Sequence, residues 1–235
     1  MLTPYTLTRG GCQEVAGTKA GYHHGDLCAA LIDAGLQLTR TGGPEALTIR
    51  EVTRRVGVSP NAAYRHFADR EALLGAVSIA IQDRMAARML KPVNRRGSAQ
   101  TRAHNQLRAV GLGYIEFALD EPGWFAVAFF GGSARLDGGE AKLGPPHQPS
   151  GSARLDGEED RVPPPFRALV DALDAMTNAG VLQPNRRAGA EWPCWSAAHG
   201  FAELALHGPL RGTSRRELEA LARRTVDDVI SGLVG

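Results

Sequence analysis

Between Thr48 and Phe67 the chain spells two helix-sized segments, TIREVTRRV and PNAAYRHF, separated only by Gly57-Val58-Ser59. Thr48 is placed to cap the first, with Glu51 three residues on as the other half of a capping box. Its inward face is Ile49, Val52 and Val56, and Gly57 ends it after about two turns. Ser59 then serves as N-cap and Pro60 as first helical residue, where its missing N–H costs nothing. A short helix to about Phe67 follows. Two short helices about a Gly-containing turn make a helix-turn-helix. Its second helix must protrude to enter a major groove about 12 Å wide.

Helical periodicity continues on both sides. From Gly25 to Thr41, Leu27, Leu31, Ala34 and Leu38 share a face, and Gly42-Gly43-Pro44 stops the helix. Asp69 caps a longer helix carrying Leu74, Val77, Ile81 and Met85 on one side and ending near Lys91-Pro92. Leu107, Val110, Tyr114 and Phe117 mark another, stopped near Glu121-Pro122, and the apolar stretch 123–130 reads as a short buried helix. Phe166, Leu169, Leu173 and Met176 define the next. Trp195, His199, Ala202 and Leu206 share the face of one more, and Leu218, Leu221, Thr225, Val229 and Leu233 that of the last. Pro193 marks either a start or a kink.

The 235 residues suffice for one large domain or two small ones. The pattern predicts an all-α chain: a flexible tail at 1–21, a three-helix DNA-binding domain at 22–70, and a helical bundle at 71–235. The bundle is interrupted by a proline-rich flexible loop at 131–165, in which GSARLDGGE (132–140) returns as GSARLDGEE (151–159). Charged residues at 22% and hydrophobic ones at 43% suit a soluble globular protein. No apolar run nears the ~20 residues of a membrane span, and no membrane partner is expected. Three scattered cysteines predict no disulfide framework and a cytoplasmic location. A net charge of +2 does not by itself mark a nucleic-acid partner.

The second short helix offers a small, polar and basic face for DNA in Asn61, Ala62, Ala63, Tyr64, Arg65 and His66, with Phe67 turning back to the core. Asparagine pairs bidentately with adenine, and alanine packs on the thymine methyl. Thr48 at a helix N-terminus, Arg54 or Arg55, Tyr64, His66 and Arg70 are candidates for phosphate. The expected DNA contacts are therefore Thr48, Arg54, Arg55, Ser59, Pro60, Asn61, Ala63, Tyr64, Arg65, His66 and Arg70.

The stretch from Tyr22 to Ala76 resembles the DNA-binding domain of TetR-family transcriptional regulators. The marks are Gly25-Asp26-Leu27, the run Thr48 to Val52, Gly57-Val58-Ser59, Tyr64-Arg65-His66-Phe67 and Asp69 to Leu74. Arg70 stands where the family commonly has lysine. Farther on, Trp195 to Gly200, Tyr114 to Ala118 and Glu121-Pro122-Gly123 resemble the family variant with a Trp…His-Gly C-terminal signature. The resemblance implies a helical domain that senses a ligand and dimerises. Small residues around His199 and the amphipathic last helix suit a two-fold, four-helix interface.

Candidate ligand-lining residues are Trp124, Phe125, Phe129, Phe166, Trp192, Trp195 and His199, since pockets favour aromatic walls with few polar groups. His23-His24-Gly25-Asp26 supplies too few ligands for zinc and has no second His or Cys pair. Ser196 and His199 lack the partners of a nucleophilic site. No metal, cofactor or catalytic residue is expected. The chain reads as a homodimeric, ligand-responsive repressor of a pseudo-palindromic double-stranded operator, its effector an unknown small molecule. The alternative is a helical small-molecule-binding or interaction protein that has lost DNA binding.

Overall fold

A computed structural model describes residues 24–91, 96–130 and 162–235. All regular structure among them is helical, as expected. The order is α1 (His24–Gly42), a 3-10 turn (Pro44–Ala46), α2 (Ile49–Val56), α3 (Pro60–Tyr64), α4 (Arg70–Met89), α5 (Ala99–Asp120) and α6 (Pro122–Phe130). Then come α7 (Pro164–Asn178), α8 (Pro184–Arg187), α9 (Glu191–Leu206) and α10 (Arg215–Val234). The tail, residues 92–95 and most of the expected loop, including both copies of the duplicated segment, lie outside the described residues.

Helix α1 packs on α4 and on α2, and α2 on α3, around one shared core. Leu31, Leu47, Val52, Ala63, Leu73 and Val77 are wholly removed from solvent there. Burial of such side chains stabilises by about 1.5–3 kcal/mol each, which is what holds helices as short as α2 and α3 in place. The other end of α4 packs on α5, α6 and α7, while α5 runs through the C-terminal half against α7, α9 and α10. One continuous helix, α4, thus belongs to both halves.

Local structure departs from expectation in several places. Pro164 and Pro165, expected in the loop, form the first turn of α7, where prolines lose no hydrogen bond. Helix α3 ends at Tyr64 rather than near Phe67. The capping box forms at Ser214 and Glu217 instead of at Thr48 and Glu51. Thr48 does accept from the Glu51 N–H at 3.1 Å, but the Glu51 carboxylate turns to Arg54. Pro193 lies at the third position of α9, in the first turn, so the helix begins two residues before it and its missing N–H costs no helical bond. The one-turn helix α8 has no periodic signature to announce it. Cys28 is buried in α1 and disulfide-bonded, although no disulfide framework is expected from the sequence. Cys194 is free.

Candidate nucleic-acid interface and aromatic chamber

The turn between α2 and α3 depends on Gly57, whose φ of 78° is the left-handed conformation that side-chain-bearing residues rarely adopt. It turns the chain so that Ser59 and Pro60 open α3 at a fixed angle to α2. Ala63 and Phe67 anchor α3 from beneath, at 0% and 4% exposure. Asn61, Tyr64 and Arg65 stand in solvent, with Tyr64 at 52% exposure, and Ser59 and Pro60 are exposed beside them. An exposed tyrosine of that extent is an unoccupied apolar surface with a hydroxyl at its tip. The expectation that Ala63 faces DNA is therefore corrected: its methyl fills the core. His66 is half-buried.

Around this helix the charges are pre-arranged. Thr48 and Arg54 are exposed at opposite ends of α2, as is Arg55. Arg54 donates from Nε and Nη2 to the two Glu51 oxygens at 2.8 and 2.7 Å, and Arg55 Nε adds a weaker contact at 3.4 Å. The bonds from Arg54, ahead of that from Arg55, hold the Glu51 carboxyl down to about 2. Arg54 and Arg55 thus point into solvent with one shared counter-charge. Arg70 is differently placed. Its Nε donates to the Leu47 carbonyl at 2.7 Å and its Nη2 to the Pro44 carbonyl at 2.5 Å. The guanidinium staples the 3-10 turn ahead of α2 to the start of α4, which gives Arg70 a positioning role beside the expected phosphate contact.

The second constellation lies between α5, α6, α7 and α9. Tyr114, buried at 2% exposure, sits at its centre, with ring centroids 5.9 Å from Phe125, 5.8 Å from Phe129 and 5.1 Å from Trp195. Its hydroxyl meets His199 Nδ1 at 2.8 Å. Burial pushes the Tyr114 phenol well above its ordinary value and holds His199 below its own, so the pair is neutral. Phe166 stacks beside Trp195 and Trp192 at 5.6 and 5.7 Å, but Trp192 itself is 46% exposed. One turn along α9 from His199, Glu203 Oε1 is buried without a hydrogen-bond partner among the described residues, while Oε2 meets His207 Nδ1 at 3.0 Å.

The aromatics do not all gather in one chamber. Trp124 stands apart, donating from Nε1 to the Leu36 carbonyl of α1 at 2.8 Å, with the Arg40 and Arg84 guanidiniums 5.3 and 5.5 Å from its ring. It joins the two halves of the molecule and borders a different recess from the one beside the aromatic cluster. Phe125 is sealed in the core at 0% exposure. The apolar cavity nearest the cluster, bordered by Leu107, Tyr114, Cys194, Trp195 and Val226, holds only about 30 Å³. A water needs about 10–15 Å³ and a drug-sized ligand roughly 300–1,000 Å³. The cavity beside the chamber is far smaller than a ligand of that size.

With this geometry the chain can be compared with known proteins. Residues 31–77, which include the whole of α2 and α3, match the model of bacterial regulatory proteins of the tetR family. Residues 107–229, more than half of the chain, match the tetracyclin repressor-like C-terminal domain. The chain belongs to the TetR family. It is a DNA-binding transcriptional regulator by that membership, and not an enzyme. The C-terminal match is consistent with the Trp…His-Gly variant. No curated relative matches.

Solved structures share the fold. A protein of unknown function from Rhodococcus sp. RHA1 is 24% identical with a TM-score of 0.63, covering 92% of this chain and 100% of that one. A TetR-family transcriptional regulator from Pectobacterium atrosepticum is 19% identical with a TM-score of 0.57, covering 90% and 95%. A variant of TetR from Acinetobacter baumannii AYE, in complex with minocycline, is 19% identical with a TM-score of 0.55, covering 87% and 94%. No helix among the described residues is long and apolar enough to cross a membrane.

Within this TetR-family frame, sequence reasoning missed Tyr114 as the hub of the aromatic cluster and Glu203 as its buried carboxylate. Both were legible as apolar-face neighbours at helical spacing: Tyr114 lies among Leu107, Val110 and Phe117, and Glu203 four residues after His199. Neither spacing says which helix lies opposite.

Proposed function

We propose that the chain is a ligand-responsive repressor that binds a pseudo-palindromic operator as a homodimer in the cytoplasm. The observation that carries the DNA-contact assignment is the two-sided α3: Ala63 and Phe67 are buried beneath it while Pro60, Asn61, Tyr64 and Arg65 are offered to solvent. Asn61 is the base-reading residue, and Thr48, Arg54, Arg55, Ser59, Tyr64, Arg65 and His66 hold phosphate. Arg70 positions the motif.

Dimerisation is supported by the outer faces of α9 and α10, where Leu204 and Leu221 are 46% and 41% exposed. Gly200 and Gly232 face open space there, allowing a second pair of helices to come close. Two such copies would set their α3 helices in successive major grooves. The ligand reading is supported by the aromatic cluster of Phe129, Phe166, Trp192, Trp195 and His199, with the buried Glu203 oxygen as its polar anchor. The Acinetobacter TetR variant in complex with minocycline gives the precedent of a small-molecule ligand on this fold. The present cavity is too small for a ligand of drug size, so the effector acts by selecting a more open state.

Fluorescence anisotropy tests this on labelled DNA from upstream of the protein's own gene, against scrambled DNA, at two salt concentrations. Dimeric binding in the ~10⁻⁸–10⁻¹¹ M range, at least ~10³-fold tighter than on scrambled DNA, is expected. Equal, weak binding there and to every fragment of a genome-wide selection would overturn the regulator assignment in favour of a module that has lost DNA binding.

A further inference from the structure

A second recess lies away from the aromatic chamber, where α4, α5 and α6 meet. Its volume is about 320 Å³, and its walls are Arg84, Ala87, Arg88 and Lys91, with Phe117, Glu121 and Trp124 opposite. The recess is a shallow groove open to solvent, so an occupant would be held chiefly through its charged head. Positions 84, 88 and 91 repeat at helical spacing, so the C-terminal end of α4 and the residues just past it turn three cations toward one side.

The carboxylates nearby offset them only in part, and Lys91 least of all. Glu121 is the one carboxylate in the wall, and Arg40 takes both of its oxygens, at 2.7 and 2.5 Å. Asp120 pairs with Arg88 Nη2 and is shared with Arg215, and Glu116 is 3.9 Å from the same Arg88 nitrogen. Arg84 gives one nitrogen to the Ala80 carbonyl and lies 3.9 Å from Asp33. Lys91 makes no ion pair among the described residues. Most telling is Arg88 Nε, a buried cationic donor with no acceptor among the described residues. Buried donors are nearly always paired, so this one leaves unsatisfied hydrogen-bonding capacity in the groove wall.

We propose that this groove binds a small organic anion, a carboxylate or phosphate monoester with an apolar body. The anionic head meets Arg88 and Lys91, and the body lies against Ala87, Phe117 and Trp124. The site is separate from the aromatic chamber, and its position gives it a consequence. The same α4 that carries Arg88 begins at the helix-turn-helix, and Trp124 hydrogen-bonds the Leu36 carbonyl of α1. An occupant bridging α4 to α6 favours one spacing of those helices, and so changes DNA affinity by whatever it prefers between the free and DNA-bound spacings. Only this coupling rests on the regulator reading; the binding does not.

The test uses the full chain, calorimetry, and benzoate and phenyl phosphate as probes, with benzyl alcohol as the uncharged control at matched ionic strength. Saturable binding of at least one anion, absent for benzyl alcohol and weakened ~10-fold or more in Lys91→Met, is the expected result. Lys91 is exposed and lies beyond the end of α4, so this variant keeps the fold; Arg88→Met is the second variant and should also weaken the anion. Absence of saturation by both anions at ~10 mM, or affinity unchanged in both variants, overturns the site. Operator affinity with and without saturating anion then reads the coupling, with a change of ~5-fold or more expected. An anion that binds while operator affinity stays constant overturns the coupling, and one that binds a protein without DNA affinity leaves the site standing while the regulator reading fails.

Discussion

Arg70, in the first turn of α4, donates from Nε to the carbonyl oxygen of Leu47 at 2.7 Å. The same guanidinium holds the Pro44 carbonyl, so one side chain fixes the segment that delivers Thr48 to the head of α2. Arg70→Ala leaves two partly buried carbonyls without their donor, a loss of about 1–3 kcal/mol. The expected outcome is a lower melting temperature and weaker binding to every DNA sequence. Its salt dependence separates positioning from contact: a lost phosphate contact lowers the slope of log K against log salt by about 1, whereas a positioning residue leaves it unchanged. Arg70→Lys should recover only part, because an ammonium lacks the fork that reaches both carbonyls.

Glu51 restrains the cations meant for phosphate. Its two oxygens engage Arg54, and one also meets Arg55. In the proposed DNA complex those arginines exchange a carboxylate for phosphate. Glu51→Gln removes that competition, and with it the repulsion between the carboxylate and the backbone of the duplex. The variant should bind scrambled DNA more tightly and show a salt slope steeper by about 1–2, as additional cations displace counterions. Specific and scrambled DNA should gain alike, so discrimination falls little. Anisotropy titrations across a salt series check both parts.

Asn61 and Tyr64, both exposed on α3, should separate in kind. Tyr64→Ala removes a phosphate-side contact and weakens binding at all sequences, while Asn61→Ala changes preference at one base position by about 1–3 kcal/mol. Binding of each variant across a panel of single-base operator mutants reads the difference. Equal affinity of both variants and the parent for the whole panel would sink these contacts.

How far all this was legible depends on whether the signal is local. Gly57, Ser59-Pro60 and Asp69 announce their turn and caps because the backbone they need is set within three or four residues. Ala63 shows the limit. In a five-residue helix, polar and apolar positions follow no full period, so an alanine fits either face until its full burial in the core that also holds Phe67 and Val52 is seen. Arg70 reads as a phosphate ligand from its charge alone, since its carbonyl partners lie 23 and 26 residues away. Glu51 and Ser214 present the same ambiguity. Both caps have a glutamate three residues on, but only at Ser214 is the carboxylate not claimed by an arginine on the same helix. Trp124 was legible as aromatic and not as a junction, because nothing in its neighbourhood names Leu36.

Gly123 is where the two halves touch. A Cβ there would come within 2.4 Å of the Thr39 and Arg40 carbonyl oxygens at the end of α1. No side-chain rotation relieves a clash with backbone, so Gly123→Ala must push α6 away from α1. That movement also strains the nearby Arg40–Glu121 pair and the Trp124 bond to Leu36. A loss of about 1–3 kcal/mol in thermal or urea unfolding is expected, as for overpacking elsewhere. Gly75, with nothing within 4 Å of its own Cβ position, is the control on α4 and should tolerate alanine without loss.

His199 gives the C-terminal half a pH dependence of definite sign. Burial holds its imidazole below the ordinary 6.5, with only the Glu203 charge acting in the opposite direction. The unfolded chain therefore takes up a proton on His199 more readily than the folded one, and stability rises with pH between the two values. The contribution is fully present above 6.5 and is lost as pH falls through the folded value. Asp120 is a carboxylate whose burial, which would raise it, is outweighed by Arg215 and Arg88, so it titrates below its usual 3.8 and outside this window. His199→Gln keeps a hydrogen-bonding group near the Tyr114 hydroxyl but cannot charge. Urea unfolding of parent and variant from pH 8 downward should show curves that run parallel above 6.5 and converge below it. Parallel curves over the whole range would mean that His199 titrates alike in both states, and that the Tyr114–His199 pair is open to water.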